Sequence, residues 1–186
     1  MKFTNFLTIF SLFLLVACGG EEGISPDATL EGTWELQDFK VDVETALEID
    51  GISTKSAIAI ESENPDYELV FSATAYTAAG SYDYKGDVDV DGIKTSLDES
   101  VSNVTGNGTY TMSGDEITSD GAFFNFEFED MDFDLAQEES KVKIEKLTDK
   151  ELVMVQDETT NESEEVFGST FSVTAKVKSR SVWKRK

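Results

Sequence analysis

Histidine is absent from this 186-residue chain, and cysteine occurs once and proline twice. Without imidazole there is no Ser-His-Asp or Cys-His nucleophile pair and no histidine metal site. A single cysteine excludes an intrachain disulfide and a cysteine-built zinc centre. Basic residues are scarce too: 15 Lys and Arg stand against 38 Asp and Glu, a formal charge of −23. Nucleic acid is therefore not an expected partner, because phosphate binding needs a basic patch. The bases that exist are unevenly placed. Six fall in Lys176 to Lys186, a stretch without acids, while Asp87 to Glu139 holds fifteen acids and only Lys94 as a base.

What is present begins with a processing signal. Met1-Lys2 gives a short positive start, and Phe6 to Val16 is an apolar run relieved only by Thr8 and Ser11. The run is too short to span a bilayer but suits the core of a signal peptide. It ends in Leu15-Val16-Ala17-Cys18 followed by Gly19-Gly20, which resembles a bacterial lipobox. On that reading residues 1–17 are removed and Cys18 becomes the lipid-bearing N-terminus, its thiol consumed. The alternative is an ordinary secretory signal with a cysteine near its end by chance. Cys18 to Ala28, rich in Gly, Glu and Pro, reads as a flexible tether. Gly rather than Asp after the cysteine resembles enteric lipoproteins of the outer membrane. Glu21-Glu22 resemble the acidic surface-export signals of Bacteroidetes lipoproteins, with a plain solvated linker as the alternative. The expectation is a monomer in the cell envelope, held to the outer membrane by lipid, with its periplasmic or surface exposure open.

From Thr29 onward the apolar period is two, which predicts strands. Trp34 and Leu36 share one face; Phe39, Val41 and Val43 share a face shifted by one residue, so a bulge is expected near Asp38. Leu69 and Phe71 open a strand running toward Tyr76. Tyr82, Tyr84, Val88 and Val90 line the next, and Asp91-Gly92 offers a two-residue hairpin turn. Gly108 to Met112 turns through Ser113-Gly114-Asp115 into Glu116 to Ser119. Phe124, Phe126 and Phe128 alternate with polar residues, and Met131, Phe133 and Leu135 continue in the opposite parity. Val142 to Ile144 leads through Thr148-Asp149-Lys150 to Leu152–Val155. In the last strand Phe171, Val173, Ala175, Val177 and Trp183 oppose Lys176, Lys178 and Arg180. Glu44 to Glu63 fits either a strand or a short helical lid, and Leu97 to Asn107 fits a loop. About eight to ten evenly spaced strands predict an all-β fold, an antiparallel up-and-down barrel or sandwich.

Leu30-Glu31-Gly32-Thr33-Trp34-Glu35-Leu36 opens this domain. A Gly-x-Trp at the start of the first strand resembles lipocalins and fatty-acid-binding proteins. Gly108 to Ile117 and Lys143 to Val153 are similar to strand-turn-strand units of Bacteroidetes lipocalin-like lipoproteins. The resemblance covers residues 29–186 and implies an eight-stranded barrel whose cup holds a small apolar molecule. It also implies that Trp34 plugs one end with a basic residue from near the last strand packed across it; Arg180 and Arg185 are the candidates, and Arg180 is taken first.

Among possible sites, Asp87-Val-Asp89-Val-Asp91-Gly92 with Asp98 twelfth in the count matches the oxygen-ligand spacing of a calcium loop. Against it, the twelfth position is Asp rather than Glu, no amphipathic helices flank it, and Asp91-Gly92 already serves as a turn. A solvated strand face is the expectation, with calcium kept as the competing reading and no other cofactor. Glu127, Glu129, Asp130, Asp132 and Asp134 form a second acidic cluster, again expected on an exposed face. No carboxylate pair is singled out for hydrolysis, and the chain is expected not to be an enzyme. Two functions follow: a lipid-anchored barrel that binds a small hydrophobic ligand, or a filled barrel whose acidic face meets cations or a protein. The basic Lys176–Lys186 strand is expected to lie beside the acidic first strand, with an electrostatic contact to anionic lipid as the alternative.

Overall fold

The computed structural model describes residues 23–121, 123–124, 140–166 and 169–186. Nine strands are present among them: β1 (Gly23–Ile24), β2 (Gly32–Ile49), β3 (Ile52–Phe71), β4 (Ala75–Val90), β5 (Ile93–Ser113), β6 (Glu116–Ser119), β7 (Ser140–Leu147), β8 (Glu151–Val166) and β9 (Ser169–Arg185). From β2 onward each strand pairs antiparallel with the next, and β9 returns to β2. The result is an eight-stranded, barrel-like ring in up-and-down order, with β1 added parallel to β7. The described residues contain no helix.

Local chemistry explains the turns. Ile49 pairs with Ile52 across Asp50-Gly51, and Val90 with Ile93 across Asp91-Gly92. In both turns the two central residues have positive φ, 49° and 85° in the first and 50° and 86° in the second. That is the twist that two-residue hairpins need and that Asp-Gly tolerates. Glu44 to Glu63 is therefore a hairpin of two strands rather than a lid. Leu97 to Asn107 lies within β5 rather than in a loop. Among the described residues β6 pairs only with Tyr110–Ser113 of β5, and in the earlier part of β5 Leu97, Val101 and Val104 are only partly buried against the core, so its alternation is faint. Residues 72–74 separate β3 from β4, where one continuous strand toward Tyr76 was expected.

The expected change of parity is real. The β2–β9 register slips between Leu36 and Asp38, and Trp34, Leu36, Phe39, Val41 and Val43 are all buried. The extra residue re-aims the strand so that both sets face inward.

The ring is closed at one end only by short elements. Strand β6 spans four residues, and the β7–β8 ladder runs only from Lys143↔Val155 to Leu147↔Leu152. At the other end β2–β5, β8 and β9 run on as long hairpins. The core fills the closed end with aromatic rings. Phe39 and Tyr67 each meet Tyr82 edge to face at 5.4 Å, and Phe124 lies 5.0 Å from Phe39 and 5.5 Å from Trp183. Such pairs add roughly 0.5–1.5 kcal/mol each beyond the area they bury. Phe123 and Phe124 both pack against this core and lie outside any strand. Phe126, Phe128, Met131, Phe133 and Leu135 lie outside the described residues, as does the cluster Glu127, Glu129, Asp130, Asp132 and Asp134.

The register also resolves the charge asymmetry. Strand β9 lies between two acidic strands: Glu35, Asp42 and Glu44 of β2 sit opposite Lys184, Lys178 and Lys176. From β8, Glu151 and Asp157 sit opposite Lys184 and Lys178. Lys178 reaches Asp157 at 3.3 Å and Lys176 reaches Glu44 at 3.8 Å. Each exposed pair contributes only a few tenths of a kcal/mol to about 1 kcal/mol, but Lys178 serves two strands at once. Lys178→Glu should cost about 1–2 kcal/mol by placing three like charges in a row. The melting temperature should fall by several degrees at low salt, and most of the loss should vanish in concentrated salt.

Candidate functional site

Two ends of the ring offer different chemistry. At the closed end Trp34 is fully buried, and its indole Nε1 donates to the Leu30 carbonyl at 2.8 Å. The Arg185 guanidinium lies over the Trp34 ring, 4.3 Å from its centroid. Arg185 also donates through Nη1 to the Glu31 carbonyl at 2.7 Å and through Nη2 to the Thr29 carbonyl. Trp34 and its cover thus tie the entry segment to the end of β9. The cover is Arg185 and not Arg180. Pleating puts Arg180 on the outer face, where it meets Glu145 at 3.3 Å. Gly32, two residues before Trp34, has φ of 132°, and a Cβ there would stand 2.5 Å from Arg185 Nη1. The glycine of Gly-x-Trp therefore makes room for the arginine as well as the bend.

Residues 23–28, within the stretch expected to be a tether, are bonded to β7 or to one another. Gly23 and Ile24 pair with Lys146 and Leu147, Ser25 N–H donates to the Leu147 carbonyl at 2.8 Å, and Ala28 N–H donates to the Ser25 carbonyl at 3.0 Å. These backbone bonds need no particular side chains, so a Gly- and Pro-containing stretch gives no sign of them. Cys18 itself lies outside the described residues.

A second corner of the closed end is fixed by a carboxylate. Asp120 accepts from Thr109 N–H at 2.5 Å and from Thr109 Oγ1 at 2.8 Å. The Thr109 hydroxyl and amide hold its pKa below the usual carboxylate value of 3.8. A depressed folded-state pKa stabilises the protein above the unfolded value, and that stabilisation is lost as pH falls through the folded one. Asp120→Asn should therefore lower the melting temperature at pH 7, and the gap to wild type should close below about pH 4. A gap unchanged at low pH would show that the Asp120 charge is not what matters.

At the hairpin end the inward face changes from packed to bare. Val43, Ile58 and Val88 are buried on this face. Further along the same parity Leu47 and Val173 sit opposite each other across β2 and β9, 39% and 41% exposed. Ile52 and Ile93, beside the two Asp-Gly turns, are 76% and 74% exposed. Aliphatic residues on the inner side of long hairpins, beyond an aromatic floor, form a surface suited to an apolar molecule. On the outer side of the same hairpins a groove of about 610 Å³ runs over Ala46 and Ala57, rimmed by Glu44, Lys55, Asp91 and Lys176.

The calcium candidates lie on this outer side. Asp87 and Asp89 belong to β4, Asp91 to the turn and Asp98 to β5. Asp87 accepts from Ser96 Oγ at 3.1 Å, Asp89 from Gly92 N–H at 2.7 Å and Asp91 from Lys55 N–H at 2.9 Å. The first three carboxylates thus act as hairpin and cross-strand caps. Among the described residues no three acidic or cysteine side chains gather closely enough to hold a metal ion.

Neither a known protein family, nor a characterised protein, nor a solved structure matches this chain.

Proposed function

We propose that this is a lipid-anchored lipoprotein of the cell envelope whose lipocalin-like ring holds a small hydrophobic molecule without covalent chemistry. The observation that carries the reading is the contrast along one inner face. A floor of interlocked aromatic rings and Val43, Ile58 and Val88 gives way to exposed Leu47, Val173, Ile52 and Ile93. Burial of apolar ligand surface there would supply the affinity, at about 25 cal/mol per Å² before the costs of association. The lipobox and the Trp34–Arg185 pair support the envelope and lipocalin-like parts of the reading. An environment-sensitive apolar dye such as Nile red should brighten on titration with the protein. The pair Leu47→Asp and Val173→Asp should weaken that binding at least about tenfold, by putting two charges where apolar burial is needed. No brightening, or full binding by the double variant, would contradict the reading.

A second reading is favoured by the packed aromatic floor: a filled ring serving as a structural or interaction module through its acidic outer face. Full dye binding by the Asp variants would point that way.

A further inference from the structure

We infer that the closed end of the ring is the lipid-facing surface and that the hairpin end points away from the membrane that anchors the protein. The inference rests on the reading of Cys18 as the lipidated residue and adds an orientation to it. Three observations carry it. First, the chain is pinned at Gly23 and Ile24 to the last two residues of β7, at the level of the Trp34 plug. Only residues 19–22 separate Cys18 from that pin, a reach of at most about 18 Å when extended. Second, β2 spans 18 residues from the plug to its hairpin turn. At about 3.3 Å per residue and a tilt near 40°, the turns stand roughly 40 Å from the plug along the ring axis. A tether of that reach cannot let the ring stand upside down with its hairpins on the bilayer.

Third, the two ends differ in charge. The closed end carries Lys146, Lys150, Lys184, Arg185 and Lys186 beside Asp27, Glu31, Glu35, Glu68, Asp120, Asp149 and Glu151, so its charges largely cancel. Among the described residues Lys150 and Lys184 carry no ion pair. The hairpin end carries Glu48, Asp50, Asp91, Glu162, Glu164 and Glu165 against Lys55 and Lys94. Over an anionic headgroup surface the strongly acidic hairpin end is repelled, which favours the closed end facing the lipid, and lateral contact is opposed by the acidic sides. The basic C-terminal strand thus divides its work. Lys176, Lys178 and Arg180 serve cross-strand and neighbouring carboxylates, while Arg185 covers Trp34 and Lys186 pairs with Glu68 at the closed end. An apolar molecule entering between the hairpins accordingly comes from the aqueous side, not from the anchoring leaflet.

The test uses the full lipidated chain purified from membranes and floated on phosphatidylcholine–phosphatidylglycerol vesicles that contain a rhodamine lipid acceptor. Because lipidation consumes Cys18, Asp149→Cys at the closed end or Thr170→Cys at the hairpin end supplies a single thiol for a donor dye. Transfer from position 149 should exceed transfer from position 170 several-fold. Lys150→Glu with Lys184→Glu should narrow that ratio on anionic vesicles. Equal transfer from both sites, meaning a ring lying flat, or higher transfer from position 170 would overturn the orientation. Flotation reads the anchor separately: protein that fails to float, with an unmodified Cys18 by mass, overturns the anchoring reading and the orientation built on it.

Discussion

Trp34→Ala should lower the stability of the ring by about 3–5 kcal/mol, the usual cost of emptying a fully buried aromatic site. Trp34 is 0% exposed, and it is held by a hydrogen bond to Leu30 and by the Arg185 guanidinium above it. Its loss leaves the Leu30 carbonyl without its indole donor and opens the closed end where β2 pairs with β9. Against a total of about 5–15 kcal/mol for a domain, that is roughly a fifth or more of the margin. The melting temperature should fall by roughly 10 °C or more. Arg185→Ala should cost less, and the double variant should fall short of the sum by about 0.5–2 kcal/mol, the coupling of a cation over an indole face. Arg180→Ala, removing only an exposed pair with Glu145, should leave melting nearly unchanged. A Trp34→Ala protein that melts within a degree or two of wild type would show that the plug does not hold the ring closed.

Cys18→Ala should move the protein from the membrane fraction to the soluble fraction. Each buried methylene of an acyl chain contributes about 0.8 kcal/mol, so several chains hold a protein almost permanently and none leaves only weak surface attraction. The measurement is the distribution after fractionation, together with the intact mass of the wild-type chain. Wild type should carry added lipid mass and lack residues 1–17. A Cys18→Ala chain still sedimenting with membranes at high salt would contradict lipid anchoring, because salt screens any electrostatic attraction to the surface.

How far the residues themselves disclose this fold depends on how each segment is buried. Where a strand has one buried face, its sequence announces it: Trp34 to Val43 showed both the alternation and the residue at which it slips. Val173 to Trp183 showed the inward set and the basic outward set. Asp91-Gly92 was legible as a turn, and Asp50-Gly51 carried the same signal. That second turn was masked by Ala57-Ile-Ala-Ile60, which fits a helix as well as a strand. Residues 97–107 were opaque for a different reason: Leu97, Val101 and Val104 are only partly buried, widely spaced among polar residues, and split by the β4–β5 register shift at Gly80/Tyr82. The closed end needed the register itself. Nothing in the spacing of Arg180 and Arg185 says which lies over Trp34, because the answer depends on pleat parity and on where β9 meets β2. Gly23–Ile24 is a two-residue backbone pairing, too short for any pattern. The exposed apolar face proposed for a ligand was visible only as a general wealth of apolar residues. It took the hairpin registers to bring Leu47 and Val173 opposite each other.

Native and intact mass spectrometry of the protein isolated from its own envelope tests the central claim most directly. A lipid-anchored ring that holds a small hydrophobic molecule should give a mature chain beginning at a lipidated Cys18. It should also retain a noncovalent small molecule that dissociates on activation and is lost in the Leu47→Asp, Val173→Asp variant. A mature chain with no retained molecule, or one retained equally by that variant, would contradict the account.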